Sequence, residues 1–264
     1  MLTAVDSNKN KLIAWETEKD QKPFFCPECG GELNLRKGRI RIHHFSHIPP
    51  FDCQYGQGET QQHYLVKQQI YLSLNKRTNT SKCELERQLE EVRPDVSLYI
   101  GRTPVAIEVQ KSTIDVREIT RRMKVYNKLK IFVIWVLPES VPSLEYHENE
   151  AAYVHRLKKW ELYLHTLAFG RVYFWQVAAT VRAYHFNPFK IYKQESTWYS
   201  PDGEEMSAGG YDYYAKTLKK PLKLSRDLDI ADDFKFFHKK ESYSYSGSEI
   251  PECRIWIDKE SKWW

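Results

Sequence analysis

The sequence predicts an α/β protein whose core runs helix, three strands, helix, strand. Three observations predict it. Residues 96–100 and 105–109 alternate apolar with smaller or polar side chains around a turn at Gly101–Pro104, residues 59–74 and 115–129 carry helical spacing, and residues 131–137 are continuously apolar and end at Pro138. A cysteine- and histidine-bearing β-rich module precedes this core and an α+β extension follows it. The divisions expected are 1–57, 58–140 and 141–264.

In the first module Cys26 and Cys29 frame a Pro- and Gly-containing knuckle, with His43, His44, His47 and Cys53 within reach. Thiolates and imidazoles at this spacing suit a tetrahedral structural Zn2+. Cys26, Cys29, His43 and His47 would mimic a two-cysteine, two-histidine finger. However, residues 39–43 alternate like a strand and Pro49-Pro50 forbids a following helix. The preferred set is therefore Cys26, Cys29, His44 and His47 in a β-rich zinc knuckle, with Cys53 able to replace one histidine. A metal-free module with reduced thiols is the alternative. A redox role for the Cys pair lacks a surrounding βαβ pattern.

Across 59–74, Tyr64, Leu65, Ile70, Tyr71, Leu72 and Leu74 supply an apolar surface, while Glu59, His63 and Lys67, four apart, form one polar ridge. Such a ridge is commonly a solvated helix face. The next strand is expected over 83–89 and carries Glu86, which reads equally well as an exposed acid. In the hairpin that follows, Asp95 enters one strand, and Glu108 and Gln110 share a face of the other, because side chains repeat every two residues. Three polar groups thus converge. Two hard carboxylates suit Mg2+ or Mn2+, and such a cation can polarise a phosphoryl oxygen and acidify a bound water. The pattern fits metal-dependent phosphodiester hydrolysis, though short motifs of this kind also arise from ordinary surface acids. Lys111 is expected on the opposite face.

Thr113 or Asp115 is a suitable cap for the helix over 115–129, which is basic through Arg117, Arg121, Arg122, Lys124 and Lys128. The run 131–137 reads as a buried central strand. Residues 143–168 fit one or two helices, and 169–175 a turn and a strand. Aromatic residues between 173 and 198, interleaved with Arg182, His185, Lys190 and Lys193, would either stack bases or pack a core. From Pro201 the chain is polar and is expected to be a loosely packed extension.

In their order and spacing several segments resemble the competence protein CoiA family within the PD-(D/E)xK nuclease superfamily, over about the first two-thirds of the chain. They are Phe25 to Gly31, His44-Phe45-Ser46-His47, Glu59 with His63 and Lys67, Leu85-Glu86, Arg93-Pro94-Asp95-Val96, Ile107 to Ser112, and Arg122 with Tyr126 before Ile134 to Leu137. The resemblance implies a restriction-endonuclease-like αβββαβ core, with Asp95 and Glu108 binding Mg2+ or Mn2+ and Glu86 joining them. Glu59 or His63 would touch metal-bound water. Lys67, Arg93, Arg122 and Tyr126 would contact DNA. Gln110 stands where the superfamily more commonly has lysine; an amide orients water only by hydrogen bonding, so activity would lean on metal. Glutamine is itself usual here in the CoiA-like group. The resemblance further implies processing of incoming or recombining DNA, with a recombinase or other DNA-uptake proteins as partners. A phage or mobile-element defence nuclease, or a catalytically idle DNA-binding adaptor, would share the same core.

Composition agrees with this reading. The charge of +5, from 40 basic and 35 acidic residues, permits nucleic-acid binding without demanding it. Arg36-Lys37-Gly38-Arg39-Ile40-Arg41 is the densest basic run and would bind phosphates without reading sequence. No segment is apolar enough to span a membrane, residues 1–6 lack a secretory apolar region, and five cysteines with a metal-binding pair suit a reducing compartment. A cytoplasmic protein with no membrane partner is expected.

Overall fold

A computed structural model describes residues 1–138, 145–147, 152–154, 157–244 and 247–260. Five short strands open the chain: β1 (Thr3–Val5), β2 (Lys11–Ile13), β3 (Phe24–Phe25), β4 (Glu32–Arg36) and β5 (His44–His47). They form an antiparallel sheet in the order β2-β1-β3-β4-β5. Phe24, Leu33, Leu35 and Phe45 point inward by strand alternation and close a small core with Met1, Ala4 and Ala14. The strand expected over 39–43 is absent. The Ile42 N–H donates to Gln61 Oε1 (2.8 Å) rather than to a neighbouring strand, and Arg39 to Arg41 bow outward as an exposed loop.

Thr60 caps α1 (Gln61–Leu74) by accepting the His63 N–H at 3.2 Å, so Glu59 lies just before the helix rather than within it. Next come β6 (Thr80–Leu85), β7 (Val96–Ile100) and β8 (Thr103–Val109), paired antiparallel in sequence. β6 stops before the expected 89 because Glu86 adopts a left-handed conformation (φ 48°) that turns the backbone out of the ladder. Asp115 caps α2 (Val116–Lys128), accepting the Arg117 N–H at 2.8 Å. α2 carries the crossover to β9 (Phe132–Leu137), which pairs parallel with β8 and is buried throughout.

β10 (Glu145–His147) and β11 (Ala152–Val154) pair with each other, and α3 (Lys159–Leu167) buries Trp160, Tyr163, Leu164 and Leu167. The expectation of helix elsewhere in 143–168 falls partly on residues outside those described. β12 (Val172–Val177) lies parallel to β9, and β13 (Thr180–Lys193) joins β12. β14 (Ser196–Tyr199) and β15 (Glu205–Ala208) make a terminal hairpin before β16 (Tyr211–Asp229) returns along β13. β17 (Phe234–Lys239), β18 (Ser242–Tyr243), β19 (Glu249–Ile250) and β20 (Cys253–Asp258) complete the chain.

The large sheet runs β16-β13-β12-β9-β8-β7-β6, with β20 on β9 and β17 on β20. The protein is thus mixed α/β and rich in strands. The segment after 201 is not a loose extension: Ile255, Trp256 and Ile257 belong to the main core, and buried Asp258 pairs with Arg171 Nε (2.6 Å) and accepts from the Tyr173 hydroxyl (2.7 Å). Its polarity hid this, because the charged Asp258 is matched inside the fold. Among the described residues no helix is long and apolar enough to cross a membrane.

Gly209 (φ +110°) joins the terminal hairpin to β16, and a side chain there would collide with the Gln194 carbonyl. Gly209→Ala is expected to distort β14 and β15 at a local cost of about 1–3 kcal/mol. Faster limited proteolysis within 194–210, with an unchanged calorimetric transition of the sheet core, is the expected outcome.

Candidate functional site

One cleft gathers side chains from the start of α1, the entry to β7, the end of β8 and from α2, and Glu59, His63, Asp95, Glu108, Gln110 and Arg122 all line it. Asp95 Oδ2 accepts the Val109 N–H at 2.8 Å and lies 3.3 Å from His63 Nε2, while His63 Nδ1 lies 3.5 Å from Glu59 Oε1. Glu59, His63 and Asp95 can therefore offer donor atoms all within 4.8 Å of one another, an arrangement that fits a nuclease metal site. Glu108, 2% exposed, stands beside them. Its Oε1 accepts the Tyr126 hydroxyl at 2.6 Å, and Arg122 Nη1 donates to both carboxylate oxygens at 3.2 and 3.1 Å.

Under the cleft floor sits the Lys67 ammonium, 1% exposed, bonded to Glu59, to Glu86 (2.6 Å) and to Asp95 (3.3 Å). Glu86 is fully engaged elsewhere too. It accepts the backbone N–H groups of Leu2 (3.0 Å) and Thr3 (3.0 Å), the Thr3 hydroxyl (2.8 Å) and the Tyr55 hydroxyl (2.6 Å). The Met1 ammonium lies 2.9 Å from Glu59 Oε2 and donates to the Tyr64 hydroxyl at 2.8 Å. The N-terminal sheet is thereby pinned to α1 and β6 through the same carboxylates that floor the cleft.

These contacts sort the protonation states. Burial opposes ionisation of Asp95, yet His63 and Lys67 outweigh it and hold the carboxyl well below its usual range. Burial likewise opposes ionisation of Glu86 and Glu59, and Lys67 reverses it in both. Glu108 goes the other way: burial, abetted by the nearby Asp95 charge, exceeds the help from Arg122 and pushes it up to about 7.

The structure corrects several sequence readings. Lys67 and Tyr126 (0% exposed) face inward and hold carboxylates rather than DNA. Glu86 is spent on the N-terminal backbone and Lys67, so it anchors the module instead of joining a metal. Arg93 stacks on the Tyr55 ring (3.8 Å), pairs with Glu28 of the cysteine knuckle and donates to Gln88 (2.8 Å), tying module to core. Arg122 bridges Glu108 and Glu118 while lining the cleft. β8 ends at Val109, so strand alternation does not extend to Gln110 and Lys111: both line the cleft, Gln110 donating to the Ser112 carbonyl (2.7 Å) and Lys111 to Gln62. Tyr55 and Thr3 were missed because nothing in their local sequence marks a partner some 30 and 80 residues away.

In the knuckle, Cys26, Cys29, Cys53 and His47 converge, with Cys26 Sγ 4.0 Å from Cys53 Sγ and Cys29 Sγ 3.4 Å from His47 Nε2. Four ligands tetrahedral about zinc, with bonds of about 2.3 Å to sulfur and 2.0 Å to nitrogen, sit about 3.5–3.8 Å apart. The set fits. The N–H groups of Glu28 and Gly31 point at Cys26 and Cys29 Sγ (3.4 Å each), the outer contacts that such thiolates use. Burial drives the Cys26 thiol up to about 12, a penalty that a bound cation would relieve. His44 is excluded. It lies three positions from His47 on β5 and so on the opposite face, its Nδ1 faces the Ile42 carbonyl (2.8 Å) and its ring stacks on Tyr64 (5.1 Å), so Cys53 takes the fourth place.

Lys67→Met is expected to destabilise the fold by about 3–5 kcal/mol, since three buried carboxylates lose their counter-ion, and denaturant unfolding reads it. Between about 4.5 and 7 the folded chain holds one more proton at Glu108 than the unfolded chain does, so the contribution of Glu108 to the stability of the metal-free protein falls as pH rises through that window. Glu108→Gln should abolish that contribution, which melts at stepped pH in EDTA will show.

Comparison with known proteins accords with this geometry. A family model described as "Competence protein CoiA, nuclease-like domain" matches residues 59–197, and one described as "Competence protein CoiA, N-terminal domain" matches residues 5–56. A Bacillus subtilis (strain 168) protein named "Competence protein CoiA" is 30% identical over 120 residues, covering 44% of this chain and 32% of that relative, so the chain spans about a third of its length. No solved structure matches. With the nuclease-like model spanning more than half its length, and the cleft acids within it, the chain belongs to the competence protein CoiA family.

Proposed function

We propose that the chain is a Mg2+- or Mn2+-dependent deoxyribonuclease with a restriction-endonuclease-like core and a structural Zn2+ in its N-terminal module. The observation that carries this reading is the convergence of Asp95, Glu108, Glu59 and His63 in one cleft of a nuclease-like family member. Those four residues would hold the metal. When bound, the cation supplies a polarised phosphoryl oxygen and a water acidic enough to attack. Lys67 keeps Asp95 and Glu59 ionised as hard donors, and the Val109 N–H fixes the Asp95 carboxylate. Gln110, on the cleft wall, orients water by hydrogen bonding. The positive charge beside Asp95 comes from Lys67 on α1, and Arg122 on the rim faces the substrate phosphate. By family, the setting is the processing of incoming or recombining DNA in the cytoplasm, with a recombinase or DNA-uptake proteins as partners. A defence nuclease would use the same site.

A second reading, an idle DNA-binding adaptor, is favoured by one observation: both Glu108 oxygens are already taken by Tyr126 and Arg122. Purified protein incubated with single-stranded, duplex and branched DNA in Mg2+, Mn2+ or EDTA separates the two. Metal-dependent cleavage that falls about a thousandfold in Asp95→Ala and in Glu108→Ala, as loss of several kcal/mol of metal-derived stabilisation requires, supports the nuclease. DNA bound but never cut supports the adaptor. For the module, Cys53→Ala should release the bound zinc and lower the melting midpoint, whereas His44→Ala should retain the metal; elemental analysis of both variants checks the ligand set.

A further inference from the structure

The loop between β4 and β5 has a feature that the nuclease reading leaves unused. Ile40 at its apex is 98% exposed, and its neighbours Arg39 and Arg41 are exposed and make no hydrogen bond or ion pair among the described residues. A lone exposed apolar residue on a mixed surface carries no information. Here the loop is tied down on both sides of its apex, so the exposure is built in. Lys37 donates to the Thr17 carbonyl (3.1 Å) and pairs with Glu18 (2.5 Å), His43 Nε2 lies 3.2 Å from the Gly38 carbonyl, the Ile42 N–H is held by Gln61, and the Ile42 side chain packs on the main core.

The anchor ties this loop to the first turn of α1, the turn that also carries His63. Three consecutive residues in the first turn of α1 divide the work: Gln61 holds the loop, Gln62 accepts from cleft-lining Lys111, and His63 faces Asp95. An apolar wedge between two unpaired guanidinium groups is the chemistry that unstacks a nucleic-acid step while gripping its phosphates. The acids of the cleft repel a phosphate backbone without metal, so cationic contacts must come from outside it.

We propose that Arg39-Ile40-Arg41 is a strand-opening wedge, in which Arg39 and Arg41 contact phosphates and Ile40 packs against an unstacked base. The substrate class is then DNA with an unpaired or easily opened step, such as a junction, a bubble or a strand end. This deepens the nuclease reading and rests on it for the identity of the ligand. All three side chains lie outside both cores, so their substitution leaves the fold intact.

The test measures binding by anisotropy across a salt series without added divalent cation or chelator, using the full chain with its structural metal retained, on intact duplex and on the same duplex with a central bubble carrying 2-aminopurine. Arg39→Gln with Arg41→Gln should weaken binding to both DNAs and reduce the slope of log K against log salt by about 2, one for each phosphate no longer neutralised. Ile40→Ser should weaken bubble binding about tenfold, leave duplex binding within about twofold and abolish the 2-aminopurine signal. Unchanged salt slope, or equal effects of Ile40→Ser on both DNAs, overturns the wedge. Flotation with anionic phospholipid vesicles that disappears in Ile40→Ser while DNA binding persists would overturn it in favour of a membrane contact. Bubble-selective binding that depends on Ile40 without cleavage in Mg2+ or Mn2+ would uphold the wedge while the nuclease reading fails, so the two can be told apart.

Discussion

The arrangement depends on one buried cation. Lys67 reaches from α1 to three carboxylates with different tasks: Glu59 and Asp95 on the cleft, and Glu86 at the join with the N-terminal sheet. Burying an ammonium is costly in isolation and is tolerated here only because three anions surround it. The same attraction keeps those acids ionised against burial, so a stability device and a chemical one are the same interaction. Glu86 then passes the constraint to Leu2, Thr3 and Tyr55, which makes the cysteine module part of the scaffold that positions the cleft.

Glu108 obeys a different logic. Further from Lys67 and beside an ionised Asp95, it rests on a tyrosine hydroxyl and a guanidinium from α2, with its acidity near neutrality. Two carboxylates in one cleft are thus pushed apart, one firmly ionised and one poised, as sites for acid, base and metal chemistry commonly are. Tyr126 and Arg122, one helical turn apart, serve that pair from below and from the rim.

Much of the scaffold was legible in the sequence because it rests on local rules. Asp115 caps its helix, the alternation of 96–109 produced a hairpin, and the apolar run 131–137 became the buried strand β9. What stayed hidden was set by long-range pairing. Nothing around Lys67 distinguishes a buried hub from a solvated ridge, and the polar segment after 201 concealed β20, whose Asp258 is buried only because Arg171 and Tyr173 meet it there. Position in register decided the cysteine cluster: His47 faces the thiols and His44 faces Tyr64, which spacing alone could not resolve, while Cys53 arrives from a loop without periodicity.

Asp95, Glu108, Glu59 and His63 are proposed to form one divalent-metal site floored by Lys67. The most direct test is anomalous diffraction from crystals of the protein soaked in Mn2+. A single strong peak within bonding distance of Asp95 and at least one of the other three, with Lys67 unmoved beneath it, is the predicted result. A cleft with no anomalous density at saturating Mn2+, or with the metal held elsewhere, would rule out a metal site on these four residues.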